Sequence, residues 1–292
     1  METLTIFTPT YNRAYILGRL YNSLIKQTCQ QFVWLVVDDG SDDDTTELFQ
    51  KWKNEGKIRI QYYRIKNGGK SHAHNYAVES CSTSYFTCVD SDDYLIDEAV
   101  EEIYKGLEEA EQLNCIGCVF PRKKPNGQPI AIWPENLKKS TLMDSYRIYG
   151  AKGDTMLIYQ TKILKKFRFP SFEGEKFVPE SYLYDQIDQL GEMLFVHKAI
   201  YVGDYLDDGY TNSMAKLIAH NPKGYLCYIE QRLQLDNGLK QIFLDEIRYT
   251  AIYFVIYRRL HIRKMKFPFY AFIASPFGYL LYKKRYAEYL IK

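Results

Sequence analysis

The chain has 292 residues, 46% hydrophobic and 25% charged, which fits a soluble globular protein of one large domain, or one domain plus an appendage. No internal repeat and no low-complexity linker occurs, which excludes a repeat array. The formal charge of +2 hides an asymmetry: residues 215–292 hold 14 Lys and Arg against 5 Asp and Glu, a net of +9, leaving −7 for residues 1–214.

A basic C-terminal end points to an anionic partner there, while the acidic remainder disfavours nucleic acid. Tyrosine is frequent, at 27 residues, and suits half-buried surfaces and interfaces. A strand pattern begins by Leu4, so no signal peptide is expected ahead of it. The six cysteines (29, 81, 88, 115, 118 and 227) then read as reduced thiols of a cytoplasmic protein. Cys115 and Cys118 form a CxxC with no second ligand pair, so core packing is the expectation.

Leu4–Thr8 is a short apolar β run ending at Pro9, and Ile16, Leu17, Leu20, Leu24 and Ile25 then share one helical face. Phe32–Val37 is continuously apolar, as in a strand covered on both faces, and stops at Asp38-Asp39-Gly40-Ser41. A helix is expected over Thr45–Trp52, a strand over Ile58–Tyr63, a helix around His72–Glu79, a strand over Tyr85–Val89 and a helix over Ala99–Leu113. Pro121, Pro125, Gly127, Pro129 and Pro134 mark loops. A mixed region follows over 154–214, then helices Leu217–Leu235 and Leu239–Leu260. The aromatic tail Phe267–Leu281 is read as broken by Pro268, Pro276 and Gly278. Strand–helix alternation with long crossovers predicts an α/β fold with parallel pairing. In such sheets ligands bind beyond the carboxyl ends of the strands, so Thr8–Arg13, Asp38–Asp44 and Asp90–Asp93 are expected to converge.

Asp90-Ser91-Asp92-Asp93 places three carboxylates within four residues. They repel one another unless a cation or polar ligand compensates, and oxygen ligands select Mg²⁺ or Mn²⁺. A helix-capping turn is the other reading. Asp39 ends a buried strand, where a carboxylate can accept a base N–H; an Asx turn competes. Tyr11 can stack on a base and Arg13 can pair with phosphate; surface scaffolding is the alternative. Asn67-Gly68-Gly69-Lys70 offers backbone amides and a cation to a phosphate or ribose, without P-loop spacing. His72 and His74 diverge on a helix and are not read as a metal pair.

This ordered set of motifs resembles the family 2 glycosyltransferases, an inverting group with the GT-A fold. The resemblance is strong over residues 3–100 and persists to about 214. It implies a Rossmann-like mixed sheet flanked by helices: a catalytic domain over 1–214, with its nucleotide-binding half at 1–100 and its acceptor half at 101–214. Residues 215–292 would be a C-terminal helical add-on. The resemblance further implies that Pro9, Tyr11 and Arg13 line a nucleoside pocket, that Asp39 reads uracil, and that Asn67, Lys70 and Asn75 lie near ribose and phosphate. Asp90, Ser91 and Asp92 match the DxD segment, with Asp92 the preferred contact for Mn²⁺ or Mg²⁺ and Asp93 a competitor. Glu180 matches the general base, although Ser181 follows it where relatives carry Asp; Asp185 and Asp188 are rivals. Asp208, in Tyr205–Thr211, matches a late metal contact, with a turn as the alternative.

The implied activity is inverting transfer of a hexose from a UDP-sugar to a hydroxyl of a growing glycan or glycoprotein of the bacterial surface. UDP-galactose is the first expectation, ahead of UDP-glucose or a UDP-N-acetylhexosamine. A nucleotidyltransferase and a non-catalytic nucleotide- or glycan-binding module are the alternatives. Aromatic residues between basic clusters over 258–292 suit peripheral contact with the inner face of the cell membrane, or a helical add-on with snorkelling cations.

Overall fold

The computed structural model describes residues 3–204, 213–235, 238–259 and 268–290. It divides into two compact units: Met1–Arg168 with Leu183–Asp204, and Phe169–Tyr182 with Tyr205–Lys292.

The first unit opens with alternating elements: β1 (Leu4–Thr10), α1 (Ala14–Ile25), β2 (Phe32–Asp38), α2 (Thr45–Glu55), β3 (Ile60–Arg64), α3 (Lys70–Ser80), β4 (Tyr85–Cys88), β5 (Tyr94–Leu95) and α4 (Ala99–Gln112). It continues through β6 (Gly117–Lys123), β7 (Lys139–Ser140), α5 (Leu142–Arg147), β8 (Thr155–Gln160), α6 (Thr161–Leu164), α7 (Ser181–Ile187), which reaches across the boundary at 182, β9 (Met193–Phe195) and β10 (Tyr201–Val202). The strands run β3-β2-β1-β4-β8-β6-β10-β5, with β9 on β6 and β7 on β9. β3, β2, β1 and β4 are parallel; β8 is antiparallel to both β4 and β6.

Side chains alternate across the strands. Leu4, Ile6, Trp34 and Val36 turn toward Leu17, Leu20 and Leu24 of α1, Phe49 of α2, and Ile103 and Leu107 of α4. On the opposite face Phe7 packs on Phe86 and on His74 of α3. Every residue of β2 is buried, as its unbroken apolar run requires. The Trp34 indole N–H donates to Thr8 Oγ1 at 3.0 Å, which satisfies the one polar atom that residue takes inside. Cys115 and Cys118 are buried free thiols of the same core. His74 is likewise a core residue; His72 is exposed.

The second unit is helical: α8 (Met214–His220), α9 (Pro222–Arg232), α10 (Gly238–Tyr257) and α11 (Pro268–Arg285). Two expectations change here. The helix expected over 217–235 is divided at Asn221, because Pro222 starts a new helix at its first position. The tail read as broken is one helix. Pro268 opens it, where no amide is needed, and Pro276 lies on its exposed side. No described helix is long and apolar enough to cross a membrane.

Candidate functional site

The parallel register aligns Thr10 with Asp38 and Phe7 with Cys88. Three strand ends therefore open side by side, and the loops at 10–13, 38–44 and 89–93 leave one edge of the sheet. The first two are stitched together. Asn12 adopts φ 53°, donates its N–H to Ser41 Oγ at 2.9 Å and accepts from the Asp42 amide at 2.8 Å. Asp43 accepts from the Ala14 amide at 3.0 Å. Pro9 is half-buried and pairs with Val37. Tyr11 is 46% exposed at the rim, free to stack on a ring. The Arg13 guanidinium donates to the Tyr15 hydroxyl at 2.7 Å.

The adjacent aspartates at the end of β2 and just after it have separate duties. Asp38 is fully buried. It accepts from the Ser41 amide at 2.8 Å, the Ser41 hydroxyl at 2.6 Å and the Tyr62 hydroxyl at 2.5 Å. Asp39 accepts instead from the amides of Gly68 at 2.8 Å and Gly69 at 2.7 Å. The Gly-Gly amides expected for a phosphate are thus turned onto the carboxylate expected for the base. Lys70, first residue of α3, carries its ammonium to Asp90 Oδ1 at 2.6 Å. Asn67 and Asn75 are half-buried, on the loop before α3 and on α3 itself.

Around Asp90–Asp93 the carboxylates separate into bound and available. Arg122, from the end of β6, lies 3.5 Å from Asp90 Oδ2 and 3.5 Å from Asp93 Oδ2, with its guanidinium 4.0 Å from the centre of the Tyr201 ring. Tyr201, fully buried in β10, donates its hydroxyl to Asp93 Oδ2 at 2.6 Å and accepts the Asp90 amide at 3.1 Å. Burial works to raise the Asp90 pKa, but Lys70 and Arg122 outweigh it and hold Asp90 below the usual carboxylate range. Asp93 is pushed up to about 7 by burial and by the Asp90 charge, against Arg122 and the Tyr201 hydroxyl. Gly203 makes room for it: a Cβ there would sit 2.1 Å from Asp93 Oδ1. Ser91 is buried. Asp92 is half-exposed. Its carbonyl accepts from the Arg19 guanidinium, while its carboxylate has no hydrogen bond or ion pair among the described residues. An open cleft of about 710 Å³ lies beside this loop, lined by Arg19, Asn22, Lys26, Tyr94 and Asp97. It follows α1 rather than the strand ends, so the aspartate geometry is the better guide to the chemistry.

No cluster of three or more His, Cys, Asp or Glu able to hold a metal occurs among the described residues. The donor set still fits a hard cation in one way. Asp92 offers a single available carboxylate, and Mg²⁺ is commonly held by one or two carboxylates, with phosphates and water completing its shell. Asp208 lies outside the described residues.

Glu180 is exposed and immediately precedes α7, in the second unit. Its rivals belong to the first unit. Asp185 is buried, and Asp188 accepts from the amides of Leu142 at 3.0 Å and Met143 at 2.6 Å. Asp188 therefore caps α5. Sequence reasoning missed Arg122 and Tyr201. Arg122 follows Pro121 in a stretch read as loop, and Tyr201 sits in an apolar Ile-Tyr-Val run; β8 pairs antiparallel between β4 and β6 to bring in Arg122, and β10 pairs with β6 and β5 to bring in Tyr201.

The description Glycosyl transferase family 2 matches residues 5–167. Glycosyltransferase GlyA of Streptococcus pneumoniae serotype 4 is 27% identical over 217 residues, 68% of this chain and 30% of the relative. Poly(ribitol-phosphate) beta-N-acetylglucosaminyltransferase TarS of Staphylococcus aureus is 26% identical over 221 residues, 73% of this chain and 38% of the relative. The chain thus spans about a third of these relatives' length. Among solved structures, S. aureus TarS 1-349 in complex with UDP-GlcNAc superposes with a TM-score of 0.62 at 21% identity, covering 98% of this chain and 92% of that one. The mannosyltransferase PcManGT of Pyrobaculum calidifontis, solved with GDP-Man and Mn2+, gives a TM-score of 0.56 at 15% identity, covering 99% and 83%. Both share the GT-A architecture: a mixed sheet flanked by helices. With more than half of its length matched and that fold in place, the chain belongs to glycosyl transferase family 2.

Proposed function

We propose that the chain transfers a sugar from a UDP-sugar to a hydroxyl of a bacterial surface glycan or glycoprotein. We assign catalysis to residues 1–214 and an auxiliary role to 215–292. The observation that carries the reading is the contrast at the third strand end: Asp90 and Asp93 are bound by Lys70, Arg122 and Tyr201, while the Asp92 carboxylate stays available. In this reading Asp39 accepts the uracil N–H, and Tyr11 stacks on the ring. Asp92 would hold the Mn²⁺ or Mg²⁺. When bound, that cation neutralises the diphosphate of the leaving nucleotide. Lys70 and Arg122 keep the neighbouring carboxylates in place and ionised Asp90 compensated. Glu180 takes the proton from the acceptor hydroxyl as it attacks from the face opposite the diphosphate, which inverts the anomeric centre.

The TarS name and its UDP-GlcNAc complex support a UDP-linked donor for cell-surface glycan; galactose, the first expectation, draws no support from them. The deciding experiment is hydrolysis of a UDP-sugar panel (galactose, glucose, N-acetylglucosamine and N-acetylgalactosamine) with Mn²⁺ or with chelator. One donor should be turned over with metal. Asp92→Asn should lower that turnover by roughly a hundredfold, and Glu180→Gln should abolish transfer while sparing UDP binding. No UDP-sugar bound or hydrolysed, with Asp92→Asn inert, would sink the proposal.

A further inference from the structure

We infer that the outer face of α11, with the arginines that directly follow α10, is a docking surface for an anionic phospholipid bilayer. The helix is packed inside out. Its inward residues are small: Ala271, Ala274 and Gly278 are buried. A Cβ on Gly278 would lie 2.5 Å from the Thr250 Cβ of α10, so only glycine lets the helices come this close. The large residues point outward: Phe269 is 71% exposed, Phe272 68%, Phe277 53% and Leu280 63%. Their spacing of three to five positions makes one stripe along the helix. A helix in a globular fold turns such a stripe inward; a contiguous exposed one marks an interaction surface.

Charge identifies the occupant. Lys283, Lys284 and Arg285 end α11, and Arg258 and Arg259 directly follow α10, all exposed. The Arg258 guanidinium donates to the Tyr282 hydroxyl, so the two basic groups adjoin at one end of the stripe. The Lys283 ammonium lies 5.7 Å from the centre of the Tyr279 ring, an arrangement suited to the headgroup level. Neither Pro268–Arg285 nor 247–259 contains an Asp or Glu; Asp245 and Glu246, just before the second stretch, are buried, and Glu288 follows the first. A second copy of this face would bring the same five cations and no carboxylate to meet them. Anionic headgroups supply that countercharge across a whole plane. The helix does not qualify as a membrane span; aromatic side chains on one side and cations at the end fit a helix lying in the interface.

The test is flotation of the full chain with vesicles of phosphatidylcholine alone and of phosphatidylcholine mixed with phosphatidylglycerol. The chain should float with the anionic vesicles and release as salt rises. The triple change Phe269→Ser, Phe272→Ser and Phe277→Ser should weaken binding roughly tenfold or more. Lys283→Gln with Lys284→Gln should weaken it by about fivefold per charge. All five positions are exposed, so the variants should keep the parent melting temperature, which is measured alongside. Absence of flotation with anionic vesicles overturns the inference, as does equal flotation of the triple Phe variant. A concentration-dependent dimer that the same variant abolishes would assign the face to a second copy instead.

Discussion

Tyr201→Phe removes one oxygen from a fully buried position and leaves the ring in place. The lost hydroxyl serves two partners: it donates to Asp93 Oδ2 at 2.6 Å and accepts the Asp90 amide at 3.1 Å. A hydrogen bond to a charged group contributes about 1.5–3 kcal/mol, and an orphaned buried N–H costs about 1–3 kcal/mol. The Arg122 guanidinium keeps its aromatic partner, 4.0 Å away, so that contact survives. The expected loss is about 3 kcal/mol at pH 8, read as a drop of about 1 M in the urea midpoint at unchanged m. Because the phenol secures both flanks of Ser91-Asp92, turnover should fall roughly tenfold while UDP binding, which the proposal assigns to Asp39, changes little. In a double-mutant cycle with Asp93→Asn the coupling should exceed about 1 kcal/mol. A stability loss under about 0.5 kcal/mol, or strictly additive effects, would refute this account of the buried network.

Two further outcomes test the frame. Asp188 is pushed up to about 6 by burial, against the Met143 and Leu142 amides, from 3.8. Its folded pKa therefore exceeds the unfolded one, so the folded state holds the extra proton: that stabilisation is complete below pH 4 and is lost as pH rises through 6, by at most about 3 kcal/mol. Asp188→Asn should flatten the decline in melting temperature between pH 4 and 6; an unaltered slope would place the proton elsewhere. Gly278→Val pushes a branched side chain into Thr250 and the Ile247 carbonyl, 2.9 Å from the Cβ position, and should cost about 2 kcal/mol in thermal unfolding; an unchanged melt would rule out the close packing of α10 and α11.

The parallel strands of the first hundred residues were legible because their signals are local. Phe32–Val37 is buried on both sides, so it had to be apolar throughout, and the abrupt Asp38-Asp39 marks where the sheet ends. Tyr85–Val89 followed by Asp90 reads the same way. What escaped was non-local or context-dependent. Arg122 and Tyr201 reach Asp90 through sheet pairing of segments 32 and 111 positions away, and neither carries a turn or motif signal of its own. Pro276 looked like a break because proline costs a helix one amide bond, but the exposed side of α11 absorbs that loss. Pro222 did break a periodic run, since a proline at the first position restarts a helix as readily as it ends one. The pairing of Asp39 with Gly68 and Gly69 was hidden for another reason: backbone donors leave no mark in a sequence.

That last pairing bears on how such a site drifts over generations. The loop ahead of α3 is held at its aspartate by two peptide N–H groups, and both positions call for glycine: Gly69 sits at φ 88°, and a Cβ on Gly68 would lie 2.5 Å from His72 Nδ1. Substitutions at Asn67 and before it can alter side chains there while this anchor persists, and Lys70 is still delivered to Asp90. Asp38 meanwhile carries the structural bonding of the strand end. Inherited change in ligand preference can accumulate at the neighbouring loops without dismantling the sheet edge that presents them.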